Sequence, residues 1–201
     1  MAPIQVPRRR EDNSRQHTIE GGCLARQELG DSARSITREL QQQFLRALAP
    51  LVLAHSDVDV KPLTVDLALP LPPRIRVYLY TLVEGGSRKE FKAVLRVPGQ
   101  AVDEYGSFDH SLGRIVLLVG YRADLDVFVL WDAGLHARFK NGGNIQVKDT
   151  TVYCAAALGR ADQTRQLTTR AEEIVVACQS WTLKQAVIYR MALMGRIDRS
   201  Q

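Results

Sequence analysis

Two uninterrupted apolar runs, RIVLLVGY (114–121) and DVFVLWDA (126–133), constrain this chain more than any other feature. Each has the length of a strand and is rich in β-branched and aromatic residues. Neither alternates polar with apolar positions. A strand wetted on one face alternates, whereas a strand that is apolar at nearly every position is covered on both. The two runs therefore predict central strands of a layered fold, joined by a short polar turn. A basic, glycine-containing loop, HARFKNGGN (136–144), and a strand-like IQV follow them.

Around this centre the periodicity changes. ARSITRELQQQFLRALAPLVLAH (33–55) carries Ile36, Leu40, Phe44, Leu48 and Leu51 or Val52 at helical spacing. Asp31 or Ser32 serves as N-cap, and Pro50 kinks or ends the helix. The proline-punctuated stretch 55–73 reads as an extended connection with a short strand at Leu63 to Leu67. RIRVYLYTLV (74–83), the turn EGGSRK and EFKAVLRV (90–97) suggest a β-meander. Its first strand sets Arg74, Arg76, Tyr78 and Tyr80 opposite Ile75, Val77 and Leu79. Later come a short helix over Asp149 to Leu158, a polar loop GRADQTRQLTTR (159–170), a strand EEIVVAC (172–178) and a terminal helix from Ser180.

This order gives an α+β class: a mostly antiparallel twisted sheet or partial barrel, with an N-terminal amphipathic helix and a C-terminal helix. Residues 1–30 read as a flexible basic arm and 31–201 as a single α+β domain. Arg8, Arg9 and Arg10 in the arm either reach for a phosphate or stay solvated. Twenty-seven Lys and Arg against 22 Asp and Glu give a net charge of +5, which is compatible with nucleic acid without requiring it. Cys23, Cys154 and Cys178 form no CxxC pair, which argues against a disulfide framework or a zinc site. No apolar run suits a signal peptide or a membrane span, so a cytoplasmic chain with no membrane partner is expected.

The nucleotide-binding fingerprints GxxxxGK[ST] and GxGxxG are absent, as are GxSxG and HExxH. Two constellations remain. The first is cationic: Arg74, Arg76, Lys92 and Arg96 on the sheet, with His136, Arg138, Lys140 and Asn144 in the loop, placed to contact DNA phosphates. Gly142 and Gly143 let the loop backbone approach closely. Tyr78 and Tyr80 are candidates for stacking on a base, and Trp131 is a core residue or a further stacking candidate. A solvated outer sheet face with paired charges accounts for the same pattern. The second constellation is Glu90-Phe91-Lys92, two same-face side chains that, with Asp66 as second carboxylate, would hold Mg²⁺ in a PD-(D/E)xK-type endonuclease. Apart from that alternative, neither a metal nor a cofactor is expected.

The strings RIRVYLYTLVEGGSRKEFKAVLRVPGQ, SFDHSLGRIVLLVGYRADLDVFVLWDA and NIQVKDTTVYCAAALG carry a resemblance. Spanning Arg74 to Gln179, the chain resembles bacterial proteins associated with DNA methylases and restriction systems. It is also similar to the N-terminal recognition regions of modification-dependent restriction endonucleases. The resemblance implies a double-stranded-DNA-binding accessory of restriction-modification or phage defence, partnered by a methylase or nuclease subunit. In the enzymes a separate C-terminal nuclease domain cuts, and the stretch after Gln179 is too short for one. That counts against autonomous cleavage, and the Mg²⁺-dependent endonuclease stays as the alternative. A protein-interaction subunit of a defence complex, with an incidental basic face, stands as a third alternative.

Overall fold

The computed structural model describes residues 16–86, 89–101 and 104–197, with the backbone alone for 16–31 and 196–197. In chain order the elements are α1 (Gln16–Leu48), β1 (Val52–His55), β2 (Leu63–Leu67), β3 (Arg74–Thr81), β4 (Val83–Glu84), β5 (Glu90–Val94) and β6 (Tyr105–Gly106). They continue with β7 (Ile115–Arg122), β8 (Val127–Trp131), β9 (Phe139–Lys140), β10 (Asn144–Lys148), α2 (Asp149–Leu158), β11 (Arg160–Gln166), β12 (Glu172–Gln179) and α3 (Leu183–Ile197). The chain divides into two units between Ile36 and Thr37, a point within α1. Residues 1–15 of the expected arm, with its three arginines, lie outside the described residues; from Gln16 the backbone is helical.

Within the second unit the two apolar runs become β7 and β8, inside a seven-stranded sheet ordered β1-β2-β3-β7-β8-β12-β11. Only β3 and β7 pair in parallel; the other neighbours are antiparallel. The fold is α+β, with an open sheet. Both faces are covered, as unbroken apolar strands demand. On one face Ile75, Val77, Leu79, Leu117, Val119, Phe128 and Leu130 pack with Phe44 and Leu48 of α1 and with Leu183, Ala186 and Val187 of α3. On the other, Tyr78, Tyr80, Leu118, Val129 and Trp131 pack beneath Phe91 and Ala93 of β5, Ile145 and Val147 of β10, and Val152 and Ala155 of α2. That second layer is a three-stranded sheet, β10-β5-β4, beside a two-stranded ribbon of β6 and β9.

The polar turn between β7 and β8 is closed by Asp126 in the left-handed region, at φ 50°. Its carboxylate accepts hydrogen bonds from the hydroxyls of Tyr121 and Ser180, tying the turn to the entrance of α3. Such local bonding is what makes aspartate tolerable in that conformation.

Four local expectations are corrected. The helix ends at Leu48, and Val52 opens β1 instead of completing a helical stripe. The strands 74–83 and 90–97 do not form one hairpin: β3 stays in the large sheet, while β5 pairs with β4 and β10 in the overlying layer. The supposed outer face of β3 is consequently interior. Arg76, Tyr78 and Tyr80 are all at most 5% exposed, because the second layer lies over them. Finally, residues 160–166 of the expected polar loop form β11, the edge partner of β12. An edge strand with little apolar surface to bury can be wholly polar, so its sequence looks like a loop.

Candidate nucleic-acid interface

The loop after β8 is organised by backbone bonds. The Gly142 amide donates to the Leu95 carbonyl at 2.7 Å, and the Leu95 amide to the Gly143 carbonyl at 2.8 Å. These extend the β5–β10 ladder and set Arg96 beside the glycine turn, where Gly142 sits at φ 87°. On the strand before it, Lys140 pairs with Tyr105 across the β6–β9 ribbon. The Arg138 guanidinium lies 4.1 Å from the centroid of the Tyr105 ring, which is 63% exposed. Arg96, Arg138, Lys140 and Asn144 are all exposed. Gln146 stands opposite Lys92 and Asn144 opposite Val94, so Lys92, Asn144, Gln146 and Lys148 share the side of the small sheet that turns away from the core. The Gln146 side-chain amide donates to Glu90 there, at 2.8 Å.

The other expected residues lie elsewhere. Arg74 is exposed at the start of β3, in register with Asp66. Arg76 is buried and bridged to the Asp109 carboxylate at 2.6 Å. The Tyr78 hydroxyl accepts from the Asp109 amide, the Tyr80 hydroxyl donates to the Arg96 carbonyl, and burial raises the pKa of both phenols. As placed, neither ring is open to a stacking base. Trp131 is a core residue, 1% exposed, donating from Nε1 to the Gln146 carbonyl. Glu90 and Lys92 do share one side of β5, but Asp66 belongs to the large sheet, with its carboxylate held by Arg114 at 2.8 Å. The structure thus gives Asp66 and Glu90 different partners in different sheets. Among the described residues, no group of three or more His, Cys, Asp or Glu side chains is placed to hold a metal ion.

His136 belongs to an internal ionic network. Its Nε2 lies 3.0 Å from Glu173 Oε1, and Arg165 grips Glu173 Oε2 from Nε at 2.7 Å. The Glu173 side chain is fully buried and also accepts the Asp132 amide. Burial pushes its carboxyl up, but the contacts with His136, Arg165 and the amide outweigh this and leave it below the ordinary carboxylate value. Through the sheet, Asp132 meets Arg190 of α3 at 2.9 Å, both buried. Such a network positions the loop start and ties it to α3.

Two residues outside the sequence-derived set belong here. Tyr105 lies in a Gly- and Asp-rich loop with no periodicity to single it out. Lys61, half-buried, holds its ammonium 3.4 Å from the centroid of Tyr80. Burial pushes that amine down to about 7, while the ring face favours the charged form and opposes the shift. No carboxylate among the described residues bridges it.

Among the described residues, no helix is long and apolar enough to cross a membrane. No curated protein and no solved structure matches the chain. A family model described as Methylase-associated X1 matches residues 73–187, from the edge of β3 into α3. It takes in both sheets' central strands, the glycine turn and the His136–Glu173–Arg165 part of the ionic network, which is more than half of the chain. The chain therefore belongs to the Methylase-associated X1 family, as a methylase-associated protein of the restriction-modification type.

Proposed function

We propose that the chain is a DNA-binding accessory of its restriction-modification system, working beside a methylase or nuclease subunit in the cytoplasm. It grips duplex phosphates through Arg96, Arg138 and Lys140, with Lys92 and Asn144 flanking them. The observation that carries this reading is the bonded junction of Leu95 with Gly142 and Gly143. It brings a strand-end arginine, a flexible glycine turn and a cationic strand to one place. The exposed Tyr105 with Arg138 stacked on it adds a flat, cationic surface of the kind nucleic acids meet. Arg74 and Arg76 take no part, the second because Asp109 neutralises it.

The test is fluorescence anisotropy on methylated and unmethylated duplexes in EDTA across a salt series. Neutralising three or four phosphates implies a log–log slope of about −3, roughly a sixtyfold loss of affinity between about 50 and 200 mM salt. A variant carrying R96Q, R138Q and K140Q should bind weakly with a nearly flat salt profile. Absence of duplex binding at low salt, or unchanged binding by that variant, would sink the proposal. Mg²⁺-dependent cutting abolished by E90A would point to the endonuclease alternative instead.

A further inference from the structure

Next to the glycine turn lies a cavity of about 450 Å³ lined by Lys61, Arg96, Gly99, Gln100, Asn141 and Gly142, among others. A volume of this order accommodates a small organic ligand. Its polar groups are chemically sorted. Lys61 and Arg96 are its basic groups, and the Lys61 amine is half-buried against the Tyr80 ring, with no carboxylate among the described residues bridging it. A cation withdrawn from water without a counter-ion is costly, and an entering anion removes that cost.

Asn141 supplies the opposite polarity. It is 7% exposed, and its side-chain NH₂ donates to the Gln100 and Ala101 carbonyls at 2.9 and 2.8 Å, which settles the orientation of the amide. Among the described residues its buried Oδ1 has no hydrogen-bond partner. Buried acceptors in native proteins are nearly always satisfied, so an orphan beside a cavity calls for a donor from outside. Gly99 and Gly142, at φ 82° and 87°, line the cavity with open space where a Cβ would stand.

We propose that this cavity binds a ligand of the nucleotide class, with its phosphate between Lys61 and Arg96 and an amino or hydroxyl donor on Asn141 Oδ1. Two sources share that chemistry: a free mononucleotide, or one nucleotide unit of a bound DNA strand. Lys61, Tyr80 and Asn141 have no part in the duplex-phosphate contacts proposed above, so the inference goes beyond them.

Isothermal titration of the whole chain with deoxynucleoside 5′-monophosphates, and with inorganic phosphate in parallel, decides the matter. A mononucleotide should bind saturably and at least tenfold more tightly than inorganic phosphate. K61M and R96Q should each weaken it about tenfold, with circular dichroism unchanged. Arg96 is exposed, so the second variant keeps the test valid if the first folds poorly. No saturable binding, equal affinity for inorganic phosphate, or indifference to both substitutions overturns the proposal. Duplex titration of K61M then assigns the source. Unchanged duplex binding indicates a free nucleotide, and weakened binding with competition by the mononucleotide indicates a unit of the strand. If mononucleotides bind but duplexes never do, the cavity stands and the DNA-accessory proposal alone fails.

Discussion

Lys61 shows how a single residue reports its surroundings. Its amine is pushed down to about 7 from an unfolded value of 10.5. Between those two pH values the unfolded chain keeps a proton that the folded chain has shed, so stability rises with pH across the window. K61M should abolish that rise. It should also stabilise the protein near neutral pH by on the order of 2 kcal/mol, after the lost cation–π contact is set against the removed desolvation cost. Urea denaturation at pH 7 and pH 10 measures both effects; an unchanged slope in K61M would mean that another group titrates. Gly120 poses a steric counterpart. A Cβ there would come within 2.8 to 2.9 Å of Leu82 and Trp131. G120A is therefore expected to cost about 1–3 kcal/mol, read from the denaturation midpoint.

At the scale of elements, the ionic network between β8, β11, β12 and α3 holds the loop that presents His136 and Arg138. Removing Arg190 leaves the Asp132 carboxylate buried and unpaired. R190A should therefore destabilise by roughly 3–5 kcal/mol, while R190M with D132L should recover most of the loss. Thermal melts of the single and double variants test this, and additive losses would contradict it. Glu173 titrates below the ordinary carboxylate range in the folded state. Its stabilisation is accordingly present above its unfolded pKa and is lost as pH falls through the folded one. E173Q should flatten the acid limb of the stability profile below about pH 4.5.

At the scale of the molecule, a net charge of +5 says less than its distribution. Arg38, Arg76, Arg114, Arg122, Arg165 and Arg190 all sit in ion pairs with acids and contribute little outward field. The exposed cations around the glycine turn are a small subset of the chain's basic residues. Duplex affinity should therefore respond far more to changes there than to R114Q or R38Q, which remove as much formal charge. Parallel anisotropy measurements on these variants check it, and equal losses would favour a diffuse field over a local surface.

The sequence by itself determined the layered centre. RIVLLVGY and DVFVLWDA carry no polar face, so they had to lie inside a sheet covered on both sides, and Leu63–Leu67 and Asp149–Leu158 were equally legible from spacing and turn signals. It also placed Trp131 among the core alternatives and carried the family resemblance. What only the tertiary structure decided is which half of each amphipathic strand meets water. The alternation of Arg76, Tyr78 and Tyr80 is the same whether solvent or a second sheet lies over them, and the register that lays β5 and β10 on β3 arises from contacts distant in sequence. The polar strand β11, the Leu95–Gly143 junction and the cavity at Lys61 were illegible for the same reason. Edge pairing, backbone ladders and cavities come from how segments meet, and a local pattern records only what each segment is able to bury.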